Sequence, residues 1–176
     1  MCIRDRLHVT LDDAARRNPF SAALRDQLFD ALDVAVADPD TRVLLDGAGA
    51  NFCSGGDLAE FGSTPDVVAA HVIRTARSVG RRLAELGDRV TVHVHGACVG
   101  AGFELPGFAG TVLADPGSTF RLPEIAMGLI PGAGGTVSIA RRIGRWRLAH
   151  VALTGCVLPA EQALAWGAVD ALRPRR

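Results

Sequence analysis

An α/β fold is predicted for this chain, built from parallel strand–helix–strand units in one domain. Three observations carry that expectation. Short apolar stretches of period two alternate with longer stretches at helical spacing, the order that produces parallel sheets. Strand ends run into glycine-dense loops at 47–56 and 96–102, and a third glycine cluster at 131–135 precedes a helix. No hydrophilic linker or clear repeat divides the 176 residues, and 48% apolar content suits one real core.

Taken in order, Leu7 to Leu11 alternates weakly and predicts a short first strand. Asn18-Pro19 predicts a turn and Ser21 an N-cap. Leu24, Leu28, Ala31, Leu32, Ala35 and Val36 then recur at helical spacing. Asp38-Pro39-Asp40 ends that helix, and residues 41–46 form a short buried strand. Thr64-Pro65-Asp66 starts a second helix with proline at its first position. It is expected to run to about Leu86 and stop at Gly87, with Arg74, Arg77, Arg81 and Arg82 on a solvated face. Val90, Val92 and Val94 alternate as a strand that ends at Gly96. Residues 103–108 are expected to be helical, and 111–114 and 119–122 extended. Further helices are expected after the 131–135 cluster through Ile143, from Trp146 to Leu153, and from Pro159 to Trp166 with Gly167 as cap. An apolar strand closes at Ala171-Leu172. The domain is taken as 7–172; residues 1–6, polar and without periodicity, read as a disordered start or an assembly scar.

Composition excludes several classes. Formal net charge is zero, so no nucleic-acid partner is expected. No apolar run reaches the roughly 18 residues of a bilayer span, so no membrane partner is expected. All 19 basic residues are Arg, and there is no Lys or Tyr. Schiff-base catalysis and a tyrosine acid or base are thereby excluded. Cys2, Cys53, Cys98 and Cys156 form no CxxC pair, which fits a reducing cytoplasm better than a zinc site or a disulfide framework. The start is too polar for a secretory signal.

The chemistry concentrates at two strand-to-loop turns, 52–58 and 96–105. Their glycines let backbone approach a ligand and expose N–H groups. A helix starting near Ala101 would leave its first N–H groups unpaired. Glu104 would share the face of Ala101. Its bland reading is an acid in a first helical turn. Phe103, Leu105 and Phe108 beside it suggest instead a desolvated carboxylate with a raised pKa. Glu124, in Leu122-Pro-Glu-Ile125, is again an acid among apolar residues, and by itself reads as a surface glutamate after a proline turn.

The segments Phe52-Cys-Ser-Gly-Gly-Asp-Leu58, Gly96-Ala-Cys-Val-Gly-Ala-Gly-Phe-Glu-Leu105 and Phe120-Arg-Leu-Pro-Glu-Ile-Ala-Met-Gly-Leu-Ile-Pro-Gly-Ala-Gly-Gly135 resemble the enoyl-CoA hydratase/isomerase, or crotonase, superfamily in order and spacing. The resemblance extends from Leu7 to about Leu172, including Asn18-Pro-Phe-Ser21 and Leu153-Thr-Gly155. It implies a crotonase-like spiral of ββα units and an acyl-CoA thioester substrate, with CoA part of the substrate and no separate cofactor. The oxyanion-hole donors would be the N–H groups of Gly56 and Ala101. Gly56, Asp57, Leu58, Ala59, Ala101 and Gly132 would line the substrate site. Glu104 and Glu124 fall where hydratases of this family carry their catalytic pair, which implies hydration of an enoyl-CoA. The resemblance also implies a homotrimer or hexamer for a full-length protein.

Departures from the family pattern accompany the match. Ala59 stands where some relatives carry a lysine, Gly110 where relatives often carry an aspartate, and Pro106 directly follows the Glu104-Leu105 turn. The C-terminal helices that cover the acyl pocket and build trimers are expected to be absent. Apolar surface around Trp146, Val151, Leu164 and Trp166 would then be exposed. Arg16 and Arg17 could meet a CoA phosphate or form a solvated pair. Cys98 reads as a buried thiol, and His93 and His95, without a third ligand, as hydrogen-bonding histidines. The rivals are double-bond isomerisation by one glutamate, a Clp-type serine hydrolase, which Ser54 does not support, and a non-catalytic acyl-CoA-binding or assembly protein.

Overall fold

The computed structural model describes residues 6–63 and 66–175, apart from the side chains of 67, 70 and 74. Thr64 and Pro65, Arg74 of the expected solvated face, and positions 1–5 of the start therefore lie outside the described residues. Arg6 itself opens the first strand.

The strands are β1 (Arg6–Leu11), β2 (Arg42–Gly47), β3 (Val90–Val94), β4 (Ala97–Val99), β5 (Thr111–Ala114), β6 (Thr119–Arg121), β7 (Leu158–Pro159) and β8 (Ala171–Leu172). The larger sheet is parallel throughout, in the order β1-β2-β3-β5-β8. A smaller sheet runs β4-β6-β7, with β4 parallel and β7 antiparallel to β6. Each inner strand of the large sheet passes into the small one: β3 into β4, β5 into β6, and β2 into Cys53, which bridges to Cys98. A helix follows each passage. This repeated strand–strand–helix turn is the crotonase ββα spiral expected from the sequence.

The helices are α1 (Ala22–Ala37), α2 (Val67–Ala76), α3 (Val79–Leu86), α4 (Ala101–Glu104), α5 (Gly135–Ile143), α6 (Arg145–Thr154) and α7 (Ala160–Trp166). Ser21 caps α1 by accepting the Leu24 N–H at 3.2 Å, and Leu28, Leu32 and Ala35 bury its inner face. The alternation of β3 puts Val90, Val92 and Val94 into the core.

Several expectations are corrected. The long helix over 66–86 is two helices, because Ser78 accepts the Arg81 N–H and begins a new one. Arg77 and Arg82 are not simply solvated. Their guanidinium groups lie 4.9 and 4.8 Å from the Phe29 ring and pair with Asp26 and Asp33 of α1. The loop at 96–102 contains β4, a strand held by pairing to β6 rather than by its own composition. The expected helix over 103–108 is a single α turn, Ala101–Glu104, and a 3-10 turn over Pro106–Phe108. Pro106 has no N–H to continue the ladder. Of the expected exposed apolar residues, Trp146 and Leu164 are exposed at 76% and 39%. Val151 is fully buried on the inner face of α6, and Trp166 is half-buried against the core. No helix of the described residues is long and apolar enough to cross a membrane.

Candidate functional site

Segment 96–104 meets two other glycine-bearing segments, 52–58 at Cys53 and Gly55 and 131–135 at Glu104. Glu104, on the last residue of α4, is 1% exposed. Its Oε2 accepts the N–H of Ala133 at 2.9 Å and of Gly135 at 2.7 Å. The two bonds favour the ionised form, yet burial dominates. Desolvation, with repulsion from Glu124 added, pushes the Glu104 carboxyl up to about 7. The approach needs Gly135, since a Cβ there would stand 2.6 Å from Glu104 Cγ. Phe108 closes the same corner, its ring against Gly80 of α3 and Gly134.

Glu124 opens a 3-10 turn over Glu124–Met127 and is 9% exposed. Burial raises its pKa too. Its Oε2 is buried and makes no hydrogen bond among the described residues. Oε1 lies against Gly100, where an added Cβ would come within 2.5 Å of it. Gly100 also has φ +49°, so glycine there answers both a left-handed backbone and a close carboxylate. The two acids that the sequence singles out are thus both buried, Glu124 against Gly100 and Glu104 against Gly135, and the charge of Glu124 adds to the upward push on Glu104.

The N–H groups of Gly56 and Ala101 donate to no acceptor among the described residues. Their loops touch: a Cβ at Gly100 would stand 3.8 Å from Gly55 Cα. The expected helix-dipole contribution at Ala101 is small, since α4 is one turn long. Asp57 is less available than the sequence suggests. Its Oδ1 caps Ala59 N–H at 3.1 Å and its Oδ2 takes Arg16 Nη1 at 2.9 Å. Arg16 and Arg17 are both exposed, Arg16 ion-paired with Asp13 and Asp57 and Arg17 at φ 66°. Leu58 and Ala59 are exposed beside Gly56, and Gly132 is exposed just before the two N–H groups that hold Glu104.

The remaining candidates have ordinary partners. Cys98 is fully buried and its thiol pKa is raised by desolvation. His93 meets Asp115 at 3.0 Å, and His95 meets the Gly49 carbonyl at 3.1 Å. Ser54 makes no hydrogen bond to a histidine among the described residues. Gly110 packs against the backbone of Asp88, so a larger side chain would not fit as the loop stands.

Sequence reasoning missed the groups that hold these residues. Asn18 is fully buried and donates to the carbonyls of Ala48, Asn51 and Phe52, which shapes the first loop. Glu60 accepts the Ala22 N–H with both oxygens, fixing the turn after Asp57. The Phe61 ring lies on Gly56, with two ring carbons 2.9 Å from where a Cβ would sit. Only the polar Asn18 within a turn carried a readable signal.

A model of the family described as enoyl-CoA hydratase/isomerase matches residues 7–176. The chain is 33% identical over 169 residues to 2,3-dehydroadipyl-CoA hydratase of Escherichia coli (strain K12), covering 96% of this chain and 66% of that protein. It is 36% identical over 167 residues to 1,2-epoxyphenylacetyl-CoA isomerase of the same organism, covering 92% and 63% respectively. The solved structure of an enoyl-CoA hydratase from Bacillus anthracis superposes with a TM-score of 0.87 at 28% identity, covering 99% of this chain and 68% of that one. The chain therefore spans 63–66% of the length of these two curated relatives.

Proposed function

The chain belongs to the enoyl-CoA hydratase/isomerase family, the crotonase superfamily, and from that premise we propose that it is built to hydrate the 2,3 double bond of an enoyl-CoA thioester. The observation that carries this reading is the pair of buried carboxyls with raised pKa values, Glu104 and Glu124, the second of which adds to the shift of the first. Two desolvated carboxyls that feel each other's charge do not ionise independently, so the protonated form of one is favoured while the other carries charge. Such a pair supplies a base and an acid at once. The two carboxyls orient one water over the alkene, one of them draws its proton as oxygen attacks Cβ, and a proton reaches Cα from the same unit. The titration belongs to the pair, so acid and base are not assigned separately.

Charge moves onto the thioester oxygen as the enolate develops. The unpaired N–H groups of Gly56 and Ala101 are the donors for it, each worth about 3–4 kcal/mol in a water-excluded site. Leu58, Ala59 and Gly132 offer exposed backbone and apolar surface to the CoA thioester. Asp57 serves through its main chain and through the turn it caps, its carboxylate being committed to Arg16 and Ala59. The reading includes a cytoplasmic setting, which suits free thiols at Cys53, Cys98 and Cys156. It also includes a trimeric or hexameric full-length protein.

The test is loss of the conjugated thioester absorbance of crotonyl-CoA on incubation with the purified chain, with a 3-enoyl-CoA run in parallel. Hydration of crotonyl-CoA is expected. Migration of the 3-enoyl double bond without hydration would replace the reading with an isomerase that uses one carboxyl.

A further inference from the structure

Glu104 is held twice by α5, once through its side chain and once through its main chain. The side chain takes the N–H groups of Ala133 and Gly135. The main-chain carbonyl takes Ser138 Oγ–H at 2.6 Å. This second bond has a cause in the sequence. In a continuing α-helix the Glu104 carbonyl would accept the N–H of residue 108. Pro106 stops that ladder and the chain tightens into a 3-10 turn. Phe108 N–H then goes to Leu105 O at 3.1 Å, and Ala109 N–H to Pro106 O at 2.9 Å. The Glu104 carbonyl is left buried without a backbone donor, and the Ser138 hydroxyl fills that role.

Ser138 is itself 1% exposed, one turn into α5 from Gly135. The 3-10 turn packs directly on it: a Cβ at Gly107 would stand 2.9 Å from Ser138 Cβ and Oγ. A small side chain with a donor is therefore what the position accommodates. The same helix start presents N–H groups to the carboxylate and a hydroxyl to the carbonyl of one residue. Its two contacts fix both the height of Glu104 above α5 and its direction.

We propose that Ser138 is a positioning residue for Glu104, its hydroxyl locking the Glu104 main chain so that the carboxylate stays seated on the Ala133 and Gly135 N–H groups. This rests on the reading of Glu104 as one of the two acid–base groups. Ser138→Ala leaves the helix and the apolar packing in place and deletes the donor. The carbonyl is then unpaired, the turn shifts to find another partner, and the carboxylate lifts from its two donors.

The test compares wild type, Ser138→Ala and Ser138→Thr. Two measurements are made on each: crotonyl-CoA hydration across pH, and NMR titration of carboxyl groups labelled with 13C in glutamate. For Ser138→Ala, kcat is expected to fall about tenfold with KM within about twofold, as for loss of one hydrogen bond that orients a group. The Glu104 carboxyl should titrate at higher pH, since the lost N–H bonds favour its ionised form. Ser138→Thr, which keeps the hydroxyl, should restore both. A lower melting temperature with an unchanged pH–rate profile and an unchanged Glu104 titration would overturn the proposal and leave Ser138 a packing residue. If Ser138→Ala does not fold, Ser138→Cys, close in size and a weaker donor, carries the same comparison. The titration needs no turnover. A wild-type chain that failed to hydrate would dispose of the hydratase reading, while the titration would still decide the role of Ser138.

Discussion

Gly135→Ala is the substitution whose effect follows most directly from the distances in the site. Gly135 has no left-handed backbone, so alanine is conformationally permitted. In a helix it would by itself be favourable by about 1 kcal/mol. The cost is steric: the new Cβ would stand 2.6 Å from Glu104 Cγ and 3.0 Å from Oε2. Ordinary carbon–carbon contact is about 3.5–4.0 Å, so Glu104 or the start of α5 must move by about 1 Å. Such a shift carries Oε2 out of hydrogen-bond range of Ala133 and Gly135, now 2.9 and 2.7 Å away. Bonds to a charged group are worth about 1.5–3 kcal/mol, which converts to a loss of about ten- to a hundredfold in rate. The sign of the pH effect also follows. Both N–H groups stabilise the ionised carboxyl, so without them its pKa rises above about 7 and the limb of the pH–rate profile that reports it moves to higher pH. Crotonyl-CoA hydration across pH, with a melting curve as control, measures all of this. A folded variant with wild-type kcat and an unmoved limb would refute the reasoning.

Other outcomes are expected. Glu124→Gln keeps the size of the side chain but cannot transfer a proton, so hydration should fall by about a hundredfold or more while CoA-thioester binding, read by calorimetry, stays near wild type. Ala101→Pro deletes one donor N–H at the first position of α4, where proline is tolerated by the helix; turnover should fall about a hundredfold or more with the fold retained by circular dichroism. Glu104 couples pH to stability. Its folded pKa, about 7, lies above the ordinary glutamate value of 4.5, so the folded state binds the proton more tightly. The Glu104 share of stability should fall as pH rises from about 4.5 to 7, by about 3 kcal/mol, and Glu104→Gln should reduce the slope in urea titrations, leaving the part due to Glu124. Trp146 and Leu153 of α6 are 76% and 70% exposed, so the chain is expected to associate with rising concentration in light scattering, and Trp146→Arg to reduce it.

What could be read from the sequence was whatever local chemistry decides. Ser21 is a cap because its hydroxyl meets Leu24 N–H three residues on, and Gly167 ends α7 because φ 85° suits glycine. Val90, Val92 and Val94 point inward because a strand alternates and the sheet is covered. Glu104 could be picked out because an acid among aromatic and apolar residues is costly unless used, whereas Glu124 by itself read as a surface glutamate and stood out only through the motif that resembles the family. What could not be read depends on distant partners. Ala97–Val99 looks like loop and becomes β4 because β6 and Cys53 lie on either side of it. The break at Arg77–Ser78 carries no glycine or proline, and follows from a serine cap and from arginines drawn over Phe29. The groups that seat Glu104 are backbone N–H groups and a serine thirty or so residues away. No local pattern encodes them.

The claim that Glu104 and Glu124 act as one unit on a shared water is tested most directly by a double-mutant cycle. Crotonyl-CoA hydration would be measured for wild type, Glu104→Gln, Glu124→Gln and the double variant, with thioester binding measured alongside. The expected result is strong non-additivity: either single change removes nearly all of the activity, and the second costs little more. Losses that simply multiply, or a Glu124→Gln variant that hydrates like wild type, would contradict the paired-carboxyl site.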